Sequence, residues 1–274
     1  MTVSSPDKCI RTPLYSGNTH TLHDEFSHPG LTSDLSLDTE GHVSVSSNTG
    51  NKYKPAGVSV FNCWLSLPDE VWLFILSLLP LSCLSTAAQV CHHLHRLASD
   101  QSLWRSISVE KCSNLTDQWL FCMGGRCPRK LSLYRCTGLS VTSAGLERFF
   151  SLSRKSLEEL KVISCSGPGL HGDLLLHLIG QLCDHVTSVD LSWSGATDAG
   201  VKALTDSGKG LRLETVVLNG CQVTDDPLIK LITRHRERLK VLHLYGCVHV
   251  PSEKRIREVN ATVKVYPLPG HTHK

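Results

Sequence analysis

Apolar and polar residues alternate in six nine-residue windows from residue 104 onward. The windows are WRSISVEKC (104–112), PRKLSLYRC (128–136), LEELKVISC (157–165), VTSVDLSWS (186–194), LETVVLNGC (213–221) and LKVLHLYGC (239–247). They share the template L-x-x-L-x-L-x-x-C, and successive windows start 24, 29, 29, 27 and 26 residues apart. Such alternation predicts a short strand with one buried face in each window. A weaker seventh window, NATVKVYPL (260–268), follows them.

The segments between the windows are predicted to be helical. Three of them begin with Thr followed by Asp, at 116–117, 197–198 and 224–225. The threonine can cap the free amides of the first turn, and the acid complements the helix dipole. One strand and one helix cannot bury a core alone, whereas stacked repeats can. We therefore expect an α/β fold over 107–268: a short right-handed solenoid of about six repeats and a terminal cap, with a parallel sheet on its concave side.

Cysteine occupies the last position of five of the six windows. These residues are Cys112, Cys136, Cys165, Cys221 and Cys247, and Ser194 takes the place in the fourth window. The backbone turns inward at this point, and a thiol is a compact, poorly hydrated side chain that tolerates burial there. The N-terminus lacks a signal-peptide pattern, so reduced thiols are expected. We interpret these cysteines as structural.

Residues 63–107 show a different pattern, in which a helix has no extended polar face. From Val71 to Leu79 only Ser77 interrupts the apolar run, whereas a bilayer span needs about 17–25 residues. Leu67-Pro68-Asp69-Glu70 is typical of a helix start, and Pro80 is expected to end the helix. A block this small cannot surround a helix that is apolar on all sides. We expect a partner protein to cover part of that surface.

The same block resembles an F-box. The resemblance is carried by Leu67-Pro68-Asp69-Glu70, Ile75-Leu76, Leu79-Pro80, Val90-Cys91, Arg96-Leu97-Ala98, Ser99-Asp100 and Leu103-Trp104. The later windows are similar to cysteine-containing leucine-rich repeats, so the whole chain resembles the leucine-rich-repeat F-box proteins. In that family the F-box binds the Skp adaptor, and through it cullin, of a Skp–cullin–F-box ubiquitin ligase. The repeats recruit a protein substrate for ubiquitination and degradation.

The resemblance also implies which residues meet the adaptor or shape that surface. They are Leu67, Pro68, Val71, Ile75, Leu76, Leu79, Leu84, Val90 and Trp104. Trp104 both closes the F-box and opens the first window, so the two modules are expected to be rigidly joined. Leu94 stands where the family often has Trp, and neighbouring histidines replace more basic residues. These changes leave open a protein-binding scaffold outside any ligase. The small number of repeats leaves open a shortened product of a longer solenoid.

The period of two also predicts which strand residues lie on the concave face. They mix aromatic, apolar and charged side chains, which suits the binding of a protein. The leading substrate-binding candidates are Tyr134, Ile163, Asp190, His243 and Tyr245. Trp193 is added because the equivalent positions of other windows hold Lys111, Arg135, Ser164, Gly220 and Gly246. It is either a substrate anchor or a residue that packs on the adjacent rim, and the alternative for each candidate is a solvent-facing strand surface.

The sequence shows no recognisable catalytic or metal-binding signature. It contains no nucleophile elbow, no HExxH and no G-x-x-x-x-G-K-[ST] motif. His92, His93 and His95 occupy neighbouring helical positions that point in different directions, whereas zinc ligands must converge. The formal charge of +3 is too small to imply a nucleic-acid or membrane partner. We predict a non-catalytic, cofactor-free protein of the nucleus or cytosol that binds other proteins.

The predicted domain order begins with a segment rich in Ser, Thr, Asn, Gly and His. Residues 1–62 have few large apolar side chains and no sustained period, so we expect a disordered tail. The F-box is expected over 63–106 and the repeats over 107–268. Residues 269–274 are expected to form a short C-terminal tail.

Overall fold

The computed structural model describes residues 67–207, 210–247 and 252–266, apart from the side chain of residue 253. The predicted tails at 1–62 and 269–274 lie outside the described residues. Three short helices come first: α1 (Asp69–Ser77), α2 (Leu81–Ala87) and α3 (His92–Ala98). The strands are β1 (Ser106–Glu110), β2 (Lys130–Tyr134), β3 (Glu159–Ile163), β4 (Ser188–Asp190), β5 (Thr215–Val217), β6 (Val241–His243) and β7 (Lys264–Tyr266). Between them lie α4 (Asp117–Gly125), α5 (Ser143–Ser153), α6 (Gly172–Leu182), α7 (Asp198–Asp206), α8 (Asp225–Arg234) and α9 (Glu253–Val259).

The seven strands form one parallel sheet in the order of the chain, β1 to β7. Each predicted window contributes one strand, including the degraded seventh. The central buried residue of each strand is the Cα partner of the same residue in the next: Ile107, Leu131, Leu160, Val189, Val216, Leu242 and Val265. The buried apolar side chains at alternate positions therefore face the helices, and the other side chains form an open face of the sheet. The fold is the predicted α/β solenoid preceded by a helical block.

The acidic residue at the start of a repeat helix reaches forward to the next repeat. The Asp173 carboxylate accepts hydrogen bonds from the Thr197 amide (2.7 Å), the Thr197 hydroxyl (2.8 Å) and the Gly200 amide (3.1 Å). Equivalent pairs join Asp117 to Thr142 and Asp198 to Thr224. Two of the three predicted threonine caps, Thr116 and Thr197, accept a hydrogen bond from a backbone amide of the first turn through their hydroxyl oxygen. Thr224 caps no amide of its own helix, and its hydroxyl donates to Asp198 instead.

The window cysteines reach backward along the chain. The thiols of Cys136, Cys165, Cys221 and Cys247 each donate to a carbonyl of the preceding repeat, at 3.0–3.5 Å. Contact with the Cys136 side chain and burial raise the pKa of the Cys165 thiol. Burial likewise raises the pKa of Cys221 and of Cys247. These contacts hold neighbouring turns together, which supports the structural interpretation of the cysteines.

Trp104 connects the helical block to the first repeat. Its indole Nε1 donates to the Ala98 carbonyl at the end of α3 (2.8 Å), and the Arg126 guanidinium, just after α4, lies 3.8 Å from its ring centroid. Leu76 and Leu84 belong to the same buried cluster as Ile107 of β1. The helical block and the repeats therefore share one continuous core. Among the described residues, no helix is long and apolar enough to cross a membrane.

Candidate protein-binding surfaces

The helix α1 exposes an apolar stripe. Val71, Phe74, Ile75 and Leu78 recur at helical spacing and are all exposed, as is Leu79; Leu78 and Leu79 directly follow the helix. Phe74 and Leu78 expose most, with 66% and 70% of their surface accessible. Neither was among the residues predicted to meet an adaptor, although the apolar run from Val71 to Leu79 could have indicated them. The other side of the helix, including Trp72 and Leu73, packs on the core.

Three of the residues implied to meet the adaptor or to shape its surface are buried. Leu76, Leu84 and Trp104 each expose only 2% of their surface, so they cannot contact a partner directly. Of the two implied roles, only that of packing beneath the exposed residues is open to them. Of the others, Val71, Ile75, Leu79 and Val90 are exposed, as is Pro68, and Leu67 is half-buried. A sequence pattern cannot separate the two groups, because all of them are apolar and only the packing of α2 and α3 decides which are covered.

The third helix is held against the first by charge. Arg96 donates to the Asp69 carboxylate at 2.7 Å, and His93 Nε2 lies 3.7 Å from the same residue. His95 Nδ1 instead lies 3.1 Å from the Ala88 carbonyl. The histidines of this helix thus turn toward separate partners rather than one point. Within the described residues no cluster of three or more metal-ligating side chains is present.

The open face of the sheet carries the predicted substrate-binding residues in two rows. One row is formed by Ser108, Ser132, Lys161, Asp190, Val217, His243 and Tyr266, which are Cα partners from strand to strand. Tyr134 and Ile163 are Cα partners at the ends of β2 and β3. The rings of His243 and Tyr266 stack with centroids 5.0 Å apart. Tyr245 follows β6 and is 63% exposed.

Most charges on the first half of this face are paired within it. Glu159 accepts from Lys130 at 2.9 Å and from Lys161 at 2.5 Å. These hydrogen bonds, Lys161 first, hold the pKa of Glu159 below its usual range. Asp190 has a different environment, because its carboxylate accepts only from Ser192, from the amide at 3.0 Å and from the hydroxyl at 2.6 Å. No cation lies within ion-pair distance of Asp190 in the part of the chain that the structure describes.

A basic segment at the end of α8 surrounds a surface cavity. Arg234, Arg236 and Arg238 line this cavity of about 790 Å³, together with His235. His235 is buried, and its Nε2 has no hydrogen-bond partner among the residues that the structure describes. Burial, with the nearby Arg234 charge, holds the pKa of His235 below its usual range. The cavity is lined by residues that follow the helix α8, and Trp193 follows the strand β4. Helices and strands run in opposite directions in each repeat, so the cavity and Trp193 lie at opposite ends of the strands.

Comparison with known proteins supports the interpretation of the helical block. The F-box-like family matches residues 64–110. The F-box protein MAX2 of Arabidopsis thaliana is 29% identical over 108 residues, which cover 38% of this chain. The chain spans only 15% of the length of that relative. Among solved structures, a chain of the yeast Rad7–Elc1 complex aligns with 76% of each chain, at 11% identity and a TM-score of 0.29.

Proposed function

We propose that this F-box protein is a substrate receptor of a Skp–cullin–F-box ubiquitin ligase. Its helical block binds the Skp adaptor, and its repeat sheet recruits a protein that other subunits ubiquitinate. The observation that carries the proposal is the exposed apolar stripe of α1 within the F-box-like match. A contiguous apolar stripe on a helix is a common docking surface for another protein.

The separation of buried and exposed apolar residues in and just after α1 supports this proposal. Leu76 anchors the helix in the core, while Phe74, Ile75 and Leu78 face outward. The exposed side chains therefore contribute little to the fold and remain available to bury apolar surface on binding. The shared core through Trp104 supports a receptor in which the adaptor surface and the repeat sheet hold a fixed spatial relation. Such a relation brings a bound protein close to the ubiquitin-transfer machinery, and proximity is the receptor's contribution to rate.

The repeat sheet supplies a plausible second surface for the recruited protein. Its open face combines exposed Tyr245 and half-buried His243 with polar strand residues. Aromatic residues of this kind dominate the energetics of many protein interfaces.

The test is direct binding of the purified chain to a purified Skp adaptor, measured by calorimetry. Phe74→Asp and Ile75→Asp introduce charge into the stripe and are expected to weaken binding at least about tenfold, because a buried unpaired charge is costly. Leu139→Asp, at an exposed apolar position in the repeats, is the matched control and should bind like wild type. Circular dichroism establishes that all variants stay folded. Absence of wild-type binding, or full binding by both stripe variants, would overturn the proposal in favour of a scaffold.

A further inference from the structure

Trp193 occupies a turn in which the backbone adopts the left-handed region in each of the first six windows. The equivalent residues have φ of 54° (Lys111), 51° (Arg135), 52° (Ser164), 58° (Trp193), 63° (Gly220) and 74° (Gly246). A bulky residue is rare in this region, because its Cβ crowds the neighbouring backbone. An aromatic residue held there points to a role beyond the turn itself.

The indole of Trp193 lies flat on the turns of the next two repeats. A Cβ added to Gly220 would be 2.2 Å from Trp193 Cε3 and 2.4 Å from Cδ2, closer than any real contact. A Cβ on Gly246 would be 3.5 Å from Cη2 of the same ring. Room for the ring therefore depends on glycine at position 220, and the ring is fixed on one face. Its remaining surface is exposed, 55% of the residue in all.

A second exposed aromatic residue, Tyr245, belongs to the turn on which the far end of this ring lies. Tyr245 directly precedes Gly246, on which the end of the Trp193 indole rests. The Tyr245 amide donates to Asn219 Oδ1 at 2.9 Å, which fixes its backbone to the preceding repeat. The Trp193 ring and the Tyr245 backbone are therefore held in place before any partner binds. A preorganised surface loses less conformational entropy on binding.

The charge near this surface is negative and uncompensated. The Asp190 carboxylate is held by Ser192, the residue directly before Trp193, and faces no ion-pair partner among the described residues. Lys161 is its Cα partner on β3, but the Lys161 ammonium is paired with Glu159 at 2.5 Å. On β4–β7 the lysine is Lys264, which lies at the opposite end of its strand from Tyr266. Aromatic faces and a free carboxylate together favour a cation.

We infer that Trp193, Tyr245 and Asp190 bind a lysine or arginine side chain of the recruited protein. The cation lies over the open face of the indole, and Asp190 supplies the opposite charge. This inference rests on the proposed function, because it names the chemistry that the repeat sheet recognises. A purely structural Trp193, which only covers the glycine turns, would show no preference among side-chain charges.

The probe is an array of random nonapeptides, each made in three versions with Lys, Arg or Gln at the central position and no other charged residue. Labelled wild-type protein is expected to favour the Lys or Arg version over its Gln twin by about three- to thirtyfold. Trp193→Leu keeps an apolar cover on the turns but lacks the π-face, and Asp190→Asn removes only the charge. Both variants should lose the preference, whereas Leu139→Ala, at an exposed apolar position outside both proposed surfaces, should keep it.

The site of binding is read by fluorine NMR of protein labelled with 5-fluorotryptophan. The chain contains five tryptophans, and the resonance missing in Trp193→Leu identifies Trp193. The best Lys peptide should shift that resonance, and its Gln twin should not. Equal binding of Lys and Gln versions, or an unmoved Trp193 resonance, would overturn the inference. Adaptor binding is measured separately: its loss with the charge preference intact would count against the ligase role and not against the cation site.

Discussion

The Arg126 guanidinium lies 3.8 Å from the centroid of the Trp104 indole, and both side chains are buried. One residue ends the F-box-like block and the other follows the first repeat helix. A cation over an aromatic face contributes about 0.5–2 kcal/mol, with larger values for desolvated pairs. This pair therefore couples the stability of the two modules, beyond the apolar core that they share.

We predict that Trp104→Ala lowers the free energy of unfolding by about 3–5 kcal/mol, because a large buried ring is lost. A double-mutant cycle of Trp104→Leu and Arg126→Met isolates the pair and should give a coupling of about 0.5–2 kcal/mol. Urea denaturation provides the measurement. Arg212→Met, at an exposed arginine, is the control for the loss of a charge alone. Its effect on the free energy of unfolding should add to that of Trp104→Leu without a coupling term.

Adjacent residues of α1 should separate stability from adaptor binding. Leu76→Ala is expected to cost about 2–5 kcal/mol of unfolding free energy, because Leu76 is buried. Ile75→Ala should change stability by less than about 1 kcal/mol, while weakening the adaptor complex. Denaturation and calorimetry on both variants check the prediction. The reverse pattern, with Ile75→Ala the more unstable variant, would contradict the orientation of the helix.

The forward-reaching carboxylate of Asp173 offers a test of repeat coupling. Asp173→Ala leaves the Thr197 and Gly200 amides without their acceptor and should cost about 1.5–3 kcal/mol. Asp206→Ala, on the exposed end of the next helix, should stay within about 0.5 kcal/mol of wild type. Hydrogen exchange of the two amides should accelerate in the first variant only. Unchanged exchange would show that water replaces the carboxylate without cost.

The reactivity of each cysteine toward an alkylating reagent should follow its burial. Exposed Cys83 and Cys127 are expected to react with iodoacetamide in the native protein. Cys165 and Cys221 should stay unmodified until unfolding, because they are buried and their thiol pKa values are raised. Peptide mass spectrometry after labelling at pH 8 gives the order. Early labelling of Cys221 would mean that the turns open independently of global unfolding.

The lowered pKa of His235 predicts a loss of stability in acid. The unfolded chain binds a proton at this residue below about pH 6.5, whereas the folded protein keeps it neutral to lower pH. Stability should therefore fall as the pH drops below 6.5, with a slope of up to about 1.4 kcal/mol per pH unit from this group. His235→Gln should lack that contribution. Parallel pH profiles for wild type and variant would contradict the prediction.

The repeat architecture was predictable because its signal is local. Each strand shows its own alternation, so even the weak seventh window indicated β7. The partners of Asp117, Asp173 and Asp198 were not predictable in this way. Their threonines lie in the next repeat, and the pairing depends on how the helices stack rather than on any nearby pattern.

The binding surfaces were predictable in part. The apolar run of α1 indicated that some of it must be covered by a partner, but Ile75 and Leu76 could not be assigned to opposite faces without the positions of α2 and α3. Trp193 was recognisable as unusual from the small or long polar residues at equivalent positions. That Gly220 makes room for its ring became evident only in three dimensions.

The two inter-repeat ladders run in opposite directions along the chain. Aspartates at helix starts bond to the following repeat, and window cysteines bond to the preceding one. Removal of the whole period that contains α7 would bring Asp173 to Thr224 in place of Thr197, so the neighbouring helix starts keep a matching acceptor and donor. A cut within that period would leave the Asp173 carboxylate without a threonine partner. The length of this solenoid can therefore change in evolution or by design through whole periods, and the ladders define where the seams lie.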